Sequence, residues 1–308
     1  MTRFACLIFV LLISACGKIG LEPKHEVVVN YDYQLIKVDY SRLFKNRDRL
    51  FNSHLNTPAD SNGVFLFEYN GNRYYHPVAL CFRSLEALCD YSKTADLLYL
   101  NHAIKSMEAL RAQATRHQDM LYFPYDFDYD TVGNTTYIAP WYSGMAQGLA
   151  LAAYSRLYYF TSDDHYTAIA DSILRTMTDF DSEYSTVQNY QNDELFGVGS
   201  YYWVDEYPDG PRRYVLNGSI IGAMGLYDHW WVYGDDLSRE LFSAEISTVR
   251  DKVLKYRNPG DISAYCLLFR RKQGNYHVVH YQLLQKLQEF SGDAYFGKIA
   301  DLFISDHR

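Results

Sequence analysis

Ser143-Gly144-Met145-Ala146-Gln147-Gly148-Leu149-Ala150-Leu151-Ala152-Ala153-Tyr154-Ser155-Arg156-Leu157-Tyr158-Tyr159-Phe160-Thr161 carries apolar residues at the i, i+3, i+4, i+7 spacing of a helix with a buried face. Ser162-Asp163-Asp164 interrupts it, and a second amphipathic run continues to about Asp179. The pattern predicts two helices folded back on one another. It occurs three more times: from Pro77 through the break Lys93-Thr94-Ala95-Asp96 to about Thr115, from Leu216 through Gly234-Asp235-Asp236 to about Tyr256, and from Val278 through Ser291-Gly292-Asp293 to the C-terminus. A single helix hairpin cannot bury its own apolar face, so such units stack side by side. The expected fold class is mainly α, an (α/α) toroid or incomplete barrel of helix hairpins, with long loops gathered at one end of a central cavity.

Those loops, 116–142, 180–215 and 257–277, hold Trp, Tyr, Asp, Glu and Arg in place of idle Gly, Ser and Pro. Loops of that length in a compact domain are commonly functional. Ahead of the first unit, Val64 to Tyr75 places Asn70-Gly71 between two aromatic runs, which predicts a small β-hairpin. Residues 16–60 are polar and irregular, with short β-like runs such as Glu26-Val27-Val28-Val29, and read as a tether and lead-in to a domain spanning 61–308.

The N-terminus reads Met1-Thr2-Arg3, an apolar run Phe4 to Ile13, then Ser14-Ala15-Cys16-Gly17. This is the pattern of a signal peptide over residues 1–15, its apolar run too short to span a bilayer. Ile13-Ser14-Ala15-Cys16 resembles a bacterial lipobox, with Cys16 as the lipidated first residue of an exported, membrane-anchored lipoprotein on the periplasmic or outer-membrane face. Cleavage to a soluble secreted form is the alternative. The remaining thiols, Cys81, Cys89 and Cys266, are odd in number and lack metal-ligand spacing, so they read as buried free thiols and no metal site is expected from them.

Net charge is −8, which excludes a general nucleic-acid binder but not an acidic substrate held by a local cationic cluster. The densest basic runs in the second half are Arg212-Arg213 and Arg270-Arg271-Lys272; a solvated loop is the competing reading of both. Thirty tyrosines suit a carbohydrate-lined cleft, where rings stack on sugar C–H faces; filling of helix interfaces is the alternative for most of them. Phe123-Pro124-Tyr125-Asp126-Phe127-Asp128-Tyr129-Asp130 suits a sugar-binding wall, or its three aspartates a structural calcium ion.

Several segments stand in a telling order: Pro140-Trp141-Tyr142-Ser143-Gly144-Met145-Ala146-Gln147-Gly148, then Trp203-Val204-Asp205-Glu206-Tyr207-Pro208, then Tyr214-Val215-Leu216-Asn217-Gly218, Gly225-Leu226-Tyr227-Asp228 and Asn275-Tyr276-His277-Val278-Val279-His280. Together they resemble the C-terminal domain of the D-glucuronyl C5-epimerase family over roughly residues 120–308. The resemblance implies an isomerase that needs no organic cofactor, acting on a uronic-acid-containing polysaccharide of the heparosan or heparan sulfate kind, and it suggests a homodimer. Carried over where the motifs match, the catalytic groups fall on Glu206, Tyr207, Tyr276 and Tyr265. Trp141, Tyr142, Gln147, Trp203, Asn217, Arg212, Arg270, Arg271, His277 and His280 are the candidate substrate-binding residues. Where the family reads Tyr-Asp-Leu-Arg, this chain reads Tyr265-Cys266-Leu267-Leu268. With that arginine replaced by Leu268, Arg270 or Arg271 substitutes for it, or the substrate differs, or the activity is lost.

The chemistry selects the same residue types. Removing the C5 hydrogen of a uronate builds a dianionic enolate-like species, so the site needs a base, charge neutralisation and an acid on the opposite face. Two tyrosines facing one another, their pKa lowered by a nearby cation, satisfy this, with Glu206 either the base itself or a group tuning one tyrosine. His277 and His280, at i and i+3, either present donors to the carboxylate or form a satisfied pair at a helix start. The rival functions are a polysaccharide lyase using the same abstraction, a glycoside hydrolase built on Asp205, Glu206, Asp126 and Asp128, and a non-catalytic glycan-binding lipoprotein.

Overall fold

The computed structural model describes residues 27–52, 58–131 and 135–307. The signal-like segment 1–15 and Cys16 lie outside them. Four helix hairpins carry the fold: α1 (Pro77–Thr94) with α2 (Leu97–Ala112), α3 (Gly144–Thr161) with α4 (Asp164–Leu174), α5 (Leu216–Tyr233) with α6 (Asp236–Lys252), and α7 (Gly274–Ser291) with α8 (Ala294–Asp306). Each polar break is one recurring device. Ala95, Ser162, Gly234 and Gly292 end their helices in the left-handed conformation, and the next residue but none, Asp96, Asp163, Asp235 or Asp293, caps the following helix by accepting a backbone N–H at 2.8–2.9 Å.

The first helices of the hairpins neighbour one another in the order α1, α3, α5, α7, forming the inner arc of an incomplete toroid. Central position explains composition. α3 is buried all round from Gly144 to Leu157 and α5 from Leu216 to His229, whereas α4 and α8 bury one stripe each, Tyr166, Ile169, Ala170, Ile173 and Phe296, Ile299, Ala300, Phe303. At the α3–α5 crossing a Cβ on Gly148 would stand 1.8 Å from the Gly222 carbonyl oxygen, and one on Gly225 1.9 Å from that of Gly148. Glycine is what lets these two backbones approach so closely.

The expected hairpin forms as β1 (Phe67–Tyr69) and β2 (Asn72–Tyr74), with Asn70 and Gly71 both at positive φ in a two-residue turn. Three further antiparallel pairs lie within segments read from sequence as loops: β3 (Thr115–His117) with β4 (Met120–Tyr122), β5 (Tyr129–Thr131) with β6 (Thr135–Tyr137), and β7 (Val187–Asp193) with β8 (Gly197–Val204). Helix α7 starts at Gly274, earlier than the Val278 expected, so Tyr276 sits in its first turn.

Residues 27–52 contain no strand, and their only regular element is one helical turn at Tyr40–Arg42, yet they are pinned along their length. Ile36 N–H donates to the Phe290 carbonyl at 2.8 Å and Trp231 Nε1–H to the Val38 carbonyl at 2.7 Å. Arg156 of α3, fully buried, ion-pairs with buried Asp228 of α5 at 2.7 Å and donates to the Phe44 carbonyl at 2.8 Å and to Asn46 Oδ1 at 3.2 Å. Buried Asp90 of α1 accepts the backbone N–H groups of Phe51 and Asn52 at 2.8 and 2.7 Å. Arg42 pairs with Glu289 of α7 at 3.1 Å. Residues 40–52 therefore form a strap running between α7 and α1, the two ends of the arc.

Candidate active site

Strand β8 delivers the loop Asp205-Glu206-Tyr207 to the inner arc. Its backbone is locked: Asp205 N–H donates to the Thr186 carbonyl at 2.9 Å, and the Asp205 carbonyl accepts Gly144 N–H at 2.8 Å. The buried Asp205 carboxylate accepts Tyr207 N–H at 3.2 Å and the Tyr190 hydroxyl at 3.3 Å. One residue on, the Glu206 side chain lies over Gly218 in the first turn of α5. A Cβ at 218 would stand 2.0 Å from Glu206 Oε2, so glycine supplies the room the carboxylate occupies.

Two adjoining cavities, of about 230 and about 500 Å³, share Phe82, Met145, Glu206 and Tyr276 in their walls. The smaller also holds His76, Tyr129, Trp141 and Tyr207. The larger continues past Asn217 and the α7 residues Val279 to Lys286, to Lys45, Arg47 and Phe51 of the strap. Behind the smaller cavity, Trp141 stacks on Tyr125 at 3.8 Å and 11°, with its Nε1–H fixed on the Phe127 carbonyl at 2.9 Å. That rigid aromatic face suits a sugar ring.

Burial raises the Glu206 carboxyl from 4.5 to about 7, against the opposing pull of hydrogen bonds from Tyr207 and Tyr265. The Tyr265 hydroxyl lies 3.4 Å from Oε2. Tyr265 in turn contacts Tyr276, ring centroids 4.7 Å apart. Burial, and then the Glu206 charge, push Tyr207, Tyr265 and Tyr276 upward. This departs from the lowered phenol pKa that the sequence suggested, because desolvation dominates at all three, and the Arg213 guanidinium, 5.7 Å from the Tyr207 ring, does not reverse it. At neutral pH the arrangement is a carboxyl raised into the neutral range among protonated phenols, a base with donors around it.

Of the other sequence candidates, Trp141 and Asn217 join this cleft. The buried Asn217 Oδ1 has no hydrogen-bond partner among the described residues, and the residue lines the larger cavity. Gln147 is a structural tie, accepting Phe123 N–H at 3.0 Å and donating to the Leu121 carbonyl at 2.9 Å. Trp203 packs in the core against Phe196, and Tyr142 bonds to Thr115 beside Tyr122 and Tyr184. His277 and His280 converge on Ser263 at 3.0 and 2.8 Å, with His277 Nε2 on the Phe303 carbonyl and His280 Nε2 buried without a partner among the described residues, and neither lines the cleft. Burial lowers His280 to about 3.

The basic runs face elsewhere. Arg212 pairs with Asp193 at 3.3 Å over the Tyr190 ring, Arg270 donates to Asn258 at 2.6 Å, and Arg271 is exposed, offering its carbonyl to Tyr265 N–H. Neither Arg270 nor Arg271 lines the cleft, so neither stands in for the family arginine there. Asp128 accepts Ala139 N–H and Asp130 the Thr136 hydroxyl. No cluster of three or more acidic, His or Cys residues that would hold a metal occurs among the described residues. Cys81, Cys89 and Cys266 are free and buried, as expected.

Sequence reasoning missed His76, which caps α1 by accepting Ala79 N–H on Nδ1 at 3.2 Å. Burial lowers it to about 4, so it is neutral with its proton on Nε2. The cations at the cleft mouth, Lys45, Arg47 and Lys286, were missed too, since the basic runs weighed were those of the second half of the chain, where Lys286 stands alone.

A model of the family described as D-glucuronyl C5-epimerase C-terminus matches residues 117–305. Among curated proteins the chain is similar to a D-glucuronyl C5-epimerase of Caenorhabditis elegans, 27% identical over 183 residues. That match covers 53% of this chain and only 28% of the relative's length. Among solved structures it is similar to a family 76 glycoside hydrolase (mannosidase) from Bacteroides thetaiotaomicron, with a TM-score of 0.47, 14% identity and coverage of 79% of this chain and 60% of that one. An unsaturated glucuronyl hydrolase from Streptococcus agalactiae also has a TM-score of 0.47 at 14% identity, covering 73% and 57%.

Proposed function

Because the chain belongs to the D-glucuronyl C5-epimerase C-terminus family, we propose that it inverts C5 of D-glucuronate residues in a uronic-acid-containing polysaccharide, taking the proton from one face and returning one to the other. The observation that carries the reading is Glu206, a buried carboxyl raised to about 7 in the wall of a cleft shared with Tyr207 and Tyr276. A base is most effective when its pKa lies near the working pH.

Glu206 removes the C5 proton, leaving an enediolate-like carbanion conjugated with the sugar carboxylate. Tyr276, whose side chain lines both cavities, donates a proton to the other face of C5 and passes briefly through phenolate. Tyr265 lies between Glu206 and Tyr276 and offers a return path, the proton held by Glu206 passing back to the phenolate so that both groups reset. The neutral His76 and Tyr207 are further donors to the developing negative charge.

The test is proton NMR of heparosan incubated with the protein in D2O. The expected result is exchange at C5 with new iduronate signals. Unsaturated uronate signals would replace this reading with a lyase, and no exchange with any glucuronate polymer would sink it. Tyr265→Phe removes a hydrogen bond that holds the Glu206 carboxyl down. The acid limb of the kcat/KM profile, which follows ionisation of Glu206, is therefore expected to move to higher pH, whatever happens to kcat. An unmoved limb would remove Glu206 as the base that titrates.

A further inference from the structure

We infer that the strap supplies a second anion-binding subsite, formed by Lys45, Arg47 and Lys286, which holds the carboxylate or sulfate of a sugar flanking the one at Glu206. The inference rests on the glycan reading above, but on residues outside the 117–305 match in the case of Lys45 and Arg47.

Three observations place the subsite. The larger cavity, about 500 Å³, runs from Glu206 and Tyr276 at one end to Lys45, Arg47 and Lys286 at the other, so a chain seated at Glu206 has room to continue there. The strap is not free to drift from that position. Buried Arg156 grips Phe44 and Asn46 on either side of Lys45, and buried Asp90 fixes Phe51 and Asn52 beyond Arg47. The cations also exceed the carboxylates at hand. Lys45 reaches Glu86 at 3.4 Å, and Glu289 is shared by Lys286 at 2.6 Å and Arg42 at 3.1 Å. Arg47 lies over the Phe51 ring at 3.6 Å and donates to the Leu50 carbonyl, and it has no acidic partner among the described residues.

In a chain of net charge −8, a cationic mouth on a cleft whose far end holds a carboxyl near 7 is a selective device. Neutral glycans find the same aromatic wall but nothing to neutralise the guanidinium of Arg47. Lys45 and Lys286 can release their present partners to a ligand because both pairs are partly exposed and weak. The subsite reads the chain beside the reacting sugar, so it contributes to binding more than to the chemical step.

The experiment is calorimetric titration of the wild-type protein and the Lys45→Ala/Arg47→Ala double variant with unsulfated heparosan octasaccharide, its N-sulfated form and neutral chitohexaose. The expected result is tenfold or greater weakening for the acidic octasaccharides in the double variant, a strong salt dependence lost with the two cations, and no change for chitohexaose. KM should rise by the same factor, with kcat falling far less. Weakening confined to the sulfated chain assigns the bound group as sulfate; weakening for both assigns it as carboxylate. Equal affinity of wild type and double variant overturns the inference, as does failure of the wild type to bind either acidic chain. Lys45→Arg/Arg47→Lys keeps the charges, so recovery of binding there shows that a loss in the alanine variant is not unfolding. If C5 exchange is seen with equal KM in all variants, the subsite fails and the epimerase stands. If acidic chains bind through the strap with no exchange at all, the subsite stands and the epimerase fails.

Discussion

Glu206→Gln is expected to lower kcat about a thousandfold, the usual scale for losing a positioned base, and at the same time to raise thermal stability at alkaline pH. The second half follows from the direction of the shift. The carboxyl titrates at 4.5 when unfolded and at about 7 when folded, so the neutral form is the one the fold favours. Its contribution is fully present below 4.5 and is lost as pH rises through about 7. Above that, the wild type holds a buried charge that glutamine lacks, worth up to roughly 3 kcal/mol by the shift. Unfolding midpoints at pH 6 and pH 8.5, measured beside turnover, check both halves. A variant with more than a tenth of wild-type kcat would remove Glu206 from the chemistry, and an unchanged midpoint at pH 8.5 would show that the site does not hold the charge under strain.

Arg156→Met is the largest stability loss expected away from the cleft. Burial raises the Asp228 carboxyl to about 6 even with Arg156 pulling it down. Removing the guanidinium leaves that carboxylate buried without its ion-pair partner, and breaking such a pair costs about 3–5 kcal/mol. It also frees the Phe44 carbonyl and Asn46 from their donor. Urea unfolding at pH 7 should show the loss, and the Arg156→Met/Asp228→Leu double variant should recover most of it. A single-variant loss below about 1 kcal/mol would mean that water reaches the pair.

The helix hairpins were legible because their boundaries are local chemistry. A left-handed residue followed by an aspartate cap is written in consecutive positions, as at Ser162-Asp163 and Gly292-Asp293. The β-pairs of the loops were not: strands of three residues such as Tyr129–Thr131 are too short to show a period of two, and the longer β7 and β8 do not alternate apolar with polar residues. Within the site, the ordered motifs singled out Glu206, Tyr207, Tyr265 and Tyr276, and the fold brings these four together. The same motifs do not separate residues that face the cleft from those that brace its walls. Gln147 and Trp203 stand in motifs as distinctive as Glu206's, yet their partners are backbone and core. The cationic mouth escaped notice for a different reason. Density along the second half of the chain was the criterion for a basic patch, and the fold assembles this one from Lys45 and Arg47 in the first half and a solitary Lys286 more than two hundred residues on.

That separation has a bearing on how the molecule comes to exist. The strap and the residues leading into it are made well before some of the groups that fasten them: Ile36 awaits Phe290, Val38 awaits Trp231 and Arg42 awaits Glu289. Hairpins close on near neighbours and are complete as they emerge, whereas this segment, which Asp90 and Arg156 can take hold of early, lacks its last fastenings until α7 has been made. The mouth of the cleft is thus translated in two instalments, Lys45 and Arg47 well before Lys286, and is complete only once α7 has docked against the strap.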